Sequence, residues 1–340
     1  MSHKPWTLAA ALGAALFAVS PPAWACGDKI LREGLLAGCP TKGYGRISLD
    51  YQYMHGGAHL FSRDVTGRAL GATYVGVGRS GFVGDTFSHS TTLGFDYGIL
   101  DRLHVEGTVV FAAASYKGLA PHRIVPGWAQ MDDGKYHASF QDAAFGLRYT
   151  ATKGAFTATP FARYGFPVRD YVPLGHSAIG RRLKAAELGI ELGRSLAPVL
   201  PDAYVRATGS YSLVSGDADV FGVSPAEIQR LDLDRRRVMV EGGYAVTPRL
   251  TALAFWDYLH TERGLDFLEV NNANFRMHDA VLGARNHTVG GAVAFRVRGG
   301  TWVRAALSTV LAGQNTHDGS ALAIGVTQSI GRCRRPALTP

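Results

Sequence analysis

The sequence predicts an all-β protein, a transmembrane, antiparallel, up-and-down β-barrel of about twelve strands with short periplasmic turns and long outer loops. Two patterns carry this. Alternating apolar and polar segments of ~10–13 residues recur along the chain, about twice the usual soluble strand length and the right length for a tilted strand crossing a bilayer. The connections between them are short and long by turns, which a soluble β-sandwich has no reason to observe.

Composition agrees. Only 18 % of the 340 residues are charged, glycine contributes 42, and Tyr and Phe contribute 14 and 16. Mean hydropathy is near zero, which excludes a helical membrane bundle. The net charge of +8 comes from basic residues scattered singly or in short runs such as "DRRR" and "RCRRP". With no basic helix and no nucleic-acid motif, it reads as a surface property and implies no nucleic-acid partner.

Residues 1–25 read as a signal peptide. Lys4 supplies the cationic start, Leu8 to Val19 the apolar segment, and Ala23-Trp24-Ala25 the cleavage site. The apolar stretch is shorter than the ~20 residues of a spanning helix. Cys26 follows directly, as it would in a lipoprotein, but Ala23-Trp24 matches the lipidation pattern poorly. Residues 26–44 form a periplasmic N-terminal segment. Cys26 and Cys39 are candidates for a disulfide in an oxidising compartment. Cys333 is left over, and no C-x-x-C occurs. No cofactor or metal is implied.

The barrel is assigned to residues 45–331, followed by a periplasmic tail over 332–340. Its strands begin with "GRISLDYQYMH", "FSHSTTLGFDYG" and "LHVEGTVVFAAASY" and end with "TWVRAALSTVLAG" and "ALAIGVTQSIG". Short connections are "ILDR", "TKGA", "APVLP", "TPR" and "RGG"; long ones fall at 56–86, 117–138, 167–181, 215–233 and 261–285, and the last, "QNTHDGS", is shorter. The loop around "SPAEIQRL" has room for one or two helical turns.

Each strand has an apolar and a polar face. In the third, Leu103, Val105, Val109 and Phe111 oppose His104, Glu106 and Thr108. In a spanning barrel the apolar faces point at acyl chains, because every backbone polar group must be paired within the protein. Tyr97, Tyr149, Tyr164, Phe166, Tyr244, Trp256 and Tyr258, near strand ends, are placed in interfacial girdles. The other face brings Asp96, Glu106, Arg148, Arg163, Glu187, Glu191, Arg206, Glu241, Asp257, Arg296 and Arg304 inside. Two readings stay open for these charges: a salt-bridge network filling the lumen, or a polar conduit that selects a solute.

Catalytic and metal motifs are weak. His137 and Ser139 resemble the His-x-Ser of the outer-membrane phospholipase A family. Their parity places them with Phe145 and Leu147 on the lipid face, and the fifth strand offers no Asn, Asp or Glu to orient the His. "HGGAH" (His55, His59) and "GDAD" (Asp217, Asp219) read as solvated loop chemistry.

The hairpin "YGILDRLHVEG" resembles the "YGLTDRLEL"-type hairpin of outer-membrane barrels of the meta-pathway phenol-degradation group of transporter-like proteins. The ending "GQNTHDGSALAIGVTQSIG" is similar to that group's last hairpin. The resemblance is diffuse over about 44–331 and implies a barrel that admits aromatic or hydrophobic small molecules. The chain departs from many barrels by continuing past Ile330 as "GRCRRPALTP".

The function expected is a non-enzymatic channel or transporter-like barrel in the outer membrane of a Gram-negative bacterium, passing small solutes. The alternatives are a non-conducting scaffolding barrel bound to a periplasmic protein through 26–44, and, furthest off, a lipid-modifying enzyme. The partners implied are outer-membrane lipid, a small-molecule solute and that periplasmic protein.

Overall fold

The computed structural model describes residues 42–60, 84–118, 132–152, 156–197, 199–216, 232–265, 278–298 and 300–331. Residues 1–41, which hold the expected signal peptide and most of the N-terminal segment, the three cysteines, Asp217, Asp219 and the "SPAEIQRL" loop all lie outside them.

Twelve antiparallel strands close on themselves in chain order. They are β1 (Gly45–Leu60), β2 (Gly84–Leu100), β3 (Leu103–Gly118), β4 (His137–Tyr149), β5 (Phe156–Pro167) and β6 (Lys184–Ser195). Then come β7 (Ala203–Ser215), β8 (Asp232–Thr247), β9 (Leu250–Arg263), β10 (Arg285–Arg298), β11 (Thr301–Gln314) and β12 (Thr316–Ile330). The seam joins β1 to β12, from Gly45 opposite Ile330 to Leu60 opposite Thr316. Every ladder is thereby satisfied within one sheet.

The expected alternation of connections holds, and the last one, expected to be shorter, contracts to Asn315 alone between β11 and β12, at φ +50°. At the other end β2 and β3 turn through Asp101 and Arg102. Arg102 sits at φ +80°, a conformation that glycine adopts more readily. Asp101 ties this turn to the chain entering β1 by accepting a 2.9 Å hydrogen bond from the Lys42 amide.

Side chains sort by strand parity. Ile47, Leu49, Leu93, Phe95, Phe145, Leu147, Leu188, Val293 and Ile324 project outward and are exposed, while Ser48, Thr92, Glu187, Glu191, Arg206 and Glu241 are buried inside. Of the expected girdle residues, Tyr97, Tyr149, Tyr164 and Tyr244 are exposed, and Phe166, Trp256 and Tyr258 are half-buried against neighbouring rings. Gly107 lies between Phe95 and Phe145 on the outer face, where an added Cβ would come within 2.4 Å of Phe95. The two rings meet above it at 6.3 Å.

One register feature corrects the sequence reading. Val109 pairs with Ala143 and Phe111 with Phe140, so Gln141 and Asp142 together oppose Val110. This bulge reverses the parity of the outer part of β4. Phe140 and Phe145 therefore both face outward, and His137 and Ser139 face inward instead of lying with Phe145 and Leu147.

The β4–β5 ladder is short, running only from Asp142–Pro167 to Arg148–Phe161. Above it the segment 168–183, between β5 and β6, turns into the barrel. Its Tyr171 and Ile179 pack with Val110, Ala112 and Ala114 from the inner face of β3. Its Leu183 joins Leu233, Ala280 and Val281, the last two from a short helix α1 (His278–Val281).

Candidate functional site: the barrel interior

The inner half of the lumen, toward the short turns, carries a continuous set of ion pairs. Asp96 meets Arg46 at 3.6 Å and His104 Nδ1 at 3.0 Å. Glu106 is paired with Arg163 and lies 3.6 Å from Arg148. Arg148 reaches Glu191 at 3.1 Å, and Arg163 reaches Glu187 at 3.6 Å. Arg206 lies 3.7 Å from Glu191 and donates to both oxygens of Glu241 at 3.0 Å. Tyr204 donates to Glu241 at 2.7 Å. From Glu106 to Glu241 the linked set crosses six strands, β3 to β8.

Two further pairs stand apart. Arg237 holds Asp257 with two hydrogen bonds, at 2.8 and 3.0 Å. Arg304 reaches Asp50 at 3.4 Å. Arg296 lies over the Trp302 ring, 5.9 Å from its centroid. The eleven inward charges read from the sequence all lie among the described residues, and these contacts engage each of them. Arg46, Asp50, His104 and Arg237 join them.

Several pairs skip a strand, and glycine makes this geometrically possible. Arg163 on β5 crosses Gly146 on β4 to reach Glu106 on β3. A Cβ at Gly146 would lie 2.7 Å from Arg163 Cγ and 3.1 Å from Glu106 Oε1. Asp50 on β1 crosses Gly325 on β12 to reach Arg304 on β11, and a Cβ there would sit 2.0 Å from the Asp50 carboxylate. Such charges leave water at a large cost, which the partner and its hydrogen bonds must offset.

The run "DRRR" is not simply a surface feature. Arg236 is exposed, whereas its neighbours Arg235 and Arg237 point inward. Strand alternation divides the run.

The outer half is organised by the 168–183 segment. Tyr171 donates a 2.7 Å hydrogen bond to Asp142 and accepts one of 2.7 Å from the Arg182 amide. Burial, then the Asp142 carboxylate, pushes the Tyr171 hydroxyl well above the usual phenol range, so it stays a neutral donor. Asp132 pins the turn at 175–178. It accepts from the amides of His176 and Ser177 at 3.1 and 2.9 Å and from the Ser177 hydroxyl at 2.7 Å. Gly175, at φ +80°, lets the turn approach, since a Cβ there would lie 3.0 Å from the carboxylate. Burial opposes ionisation of Asp132, but hydrogen bonds and charge from His176 and Ser177 outweigh it and hold the carboxyl below its usual range. His176 stacks on Tyr116 at 4.7 Å and meets His317 edge-on at 5.7 Å.

Between these layers lies a cavity of about 140 Å³, lined among others by Val110, Ala112, Asp142, Ile179, Leu183 and Arg235. A smaller space of about 40 Å³ lies among the ion pairs, and Thr108 and Ala144 line both.

The His-x-Ser pair is now oriented inward. His137 Nε2 is 3.1 Å from Asp133, so a carboxylate does orient the ring, from the loop before β4. His55 is in β1, bonded at 3.1 Å to Asp85 and stacked on Phe87. Among the described residues no group of three or more His, Cys, Asp or Glu side chains has metal-binding geometry.

No family model matches the chain, and no curated protein matches it. Solved structures do. The COG4313 outer membrane channel from Pseudomonas putida F1 is 14 % identical, with a TM-score of 0.58 over 90 % of this chain and 100 % of that one. The P. putida toluene transporter TodX is 12 % identical over 93 % of this chain and 97 % of that one, with a TM-score of 0.40. The KdgM porin is 7 % identical over 84 % and 99 %, with a TM-score of 0.43. The first likeness shows a shared fold; the other two are too loose to argue from.

Proposed function

We propose that the chain is an outer-membrane channel or transporter-like barrel that passes small solutes with apolar or aromatic character. The cavity between the two layers carries this reading. It lies inside the barrel against the inner faces of β2 to β4, shares Thr108 and Ala144 with the smaller space among the ion pairs, and is walled largely by small apolar side chains. The exposed leucines, valines and phenylalanines around the exterior support a hydrocarbon surrounding, since so much apolar surface would otherwise meet water. The fold shared with an outer-membrane channel supports the same setting.

The test is single-channel recording of the purified barrel in planar bilayers, joined to vesicle uptake of neutral aromatics. Reproducible current steps or accelerated uptake are expected. A barrel that is folded and resists SDS yet passes neither ions nor solutes overturns the reading.

That outcome would favour the second reading, a non-conducting structural barrel. The ion pairs linking β3 to β8 across the lumen support it. A periplasmic partner bound through 26–44, and a disulfide between Cys26 and Cys39, belong to this reading and are tested by pull-down with that segment.

A further inference from the structure

We propose that the cavity beneath the 168–183 segment is a binding subsite for a small amphipathic carboxylate, with Arg235 taking the carboxylate and the apolar wall taking the body. The inference names a solute class for the proposed passage and rests on that reading.

Arg235 is the anomaly. Its side chain rises from the inner face of β8 and is 94 % buried, with a relative exposure of 6 %. Its Nε and Nη2 are buried and have no hydrogen-bond partner among the described residues. Its neighbours Arg206 and Arg237 are held by carboxylates at 3.0 and 2.8 Å. The nearby carboxylate, Asp142, is instead engaged by the Tyr171 hydroxyl at 2.7 Å. Arg181 lines the same cavity and adds positive charge. An unpaired buried guanidinium is costly, and the charge distribution here calls for an anion. A planar fork with free N–H groups on one side matches a carboxylate in particular.

The rest of the cavity does not suit a bare inorganic ion. Val110, Ala112, Ile179, Leu183 and Ala280 supply apolar wall. Its volume, about 140 Å³, is close to the ~150 Å³ of an apolar cavity that admits benzene. A single ring or a chain of about six carbons therefore fits beside the arginine.

The experiment is calorimetric titration of the folded barrel in detergent with benzoate, benzamide and acetate. Benzoate should bind, and both benzamide and acetate should bind at least tenfold more weakly. Arg235→Gln should weaken benzoate tenfold or more, while Ala112→Leu, which fills the wall without touching charge, should also exclude it. Heat-modifiable migration on SDS gels verifies folding of each variant, and Ala112→Leu keeps the test intact should Arg235→Gln fail to fold. Equal binding of benzoate and acetate, or undiminished benzoate binding by folded Arg235→Gln, overturns the proposal. Current or solute uptake without benzoate binding overturns this subsite and leaves passage standing; benzoate binding with neither current nor uptake supports the subsite and removes the passage reading.

Discussion

Arg163 and Glu106 sit on strands β5 and β3, yet they form an ion pair across the glycine of the strand between them. Gly146→Ala places a methyl group 2.7 Å from Arg163 Cγ and 2.8 Å from the Ala162 carbonyl. It should destabilise the barrel by up to about 3–5 kcal/mol, the cost of a broken buried pair. Gly165→Ala, whose nearest contacts are at 3.8 and 3.9 Å, should change little. Urea unfolding in lipid vesicles, followed by tryptophan fluorescence, measures both.

Glu241 accepts from Tyr204 and from Arg206, both of them buried. Glu241→Ala strands a guanidinium and a hydroxyl and should cost about 3–5 kcal/mol. Glu241→Gln keeps an acceptor oxygen and should cost roughly half as much. Equal losses in the same unfolding assay would show that the charge, not the hydrogen bonding, dominates.

Tyr171→Phe removes two hydrogen bonds, one to Asp142 that ties the 168–183 segment to β4 and one from the Arg182 amide that closes the segment on itself. Stability should fall by about 1–3 kcal/mol. Single-channel current should rise, because the segment is less firmly held across the outer half. Unchanged current with reduced stability would exclude the segment as the limiting obstacle.

Asp132 gives the turn at 175–178 a pH dependence of known sign. A carboxyl held below its unfolded value of about 3.9 contributes in full above that pH and is lost as the pH falls through the folded value. Amide exchange at His176 and Ser177, the residues that donate to Asp132, should be slow above about pH 5 and accelerate relative to strand amides below about pH 3.5. Asp132→Asn should remove that pH dependence.

Leu93 lies midway along β2 and is 49 % exposed, whereas its neighbour Thr92 is buried inside. In a bilayer, Leu93→Arg should cost about 2–4 kcal/mol, while Leu93→Val costs far less. Reversible folding into vesicles of both variants measures the difference; a cost near zero for the arginine would contradict a hydrocarbon surrounding.

Strand number, chain order and the inward set of charges were legible because side-chain direction alternates along any strand, whatever its partner. The Asp142 bulge was not legible, since it depends on how β4 sits against β3, and its cost was the wrong face for His137 and Ser139. Pairing across glycine was hidden for the same reason: Gly146 and Gly325 look like strand punctuation until the register places them under Arg163 and Asp50. The buried Arg235 lay in plain view inside "DRRR", but three arginines in a row read as a solvated cluster unless the period of two is applied through them. The inward turn of 168–183 has no local signal, because "YVPLGHSAIG" has the composition of any loop.

The Asp50–Arg304 pair joins groups 254 residues apart, across the strand that closes the barrel. It cannot exist before β1 meets β12, so it belongs to the last stage of assembly. Stabilisation of this kind is absent while the cylinder is still open. Weakening the pair should therefore leave the rate of folding nearly unchanged and appear almost wholly as faster opening of the seam. The two residues act as a latch on the lifetime of the finished barrel, with little part in building it.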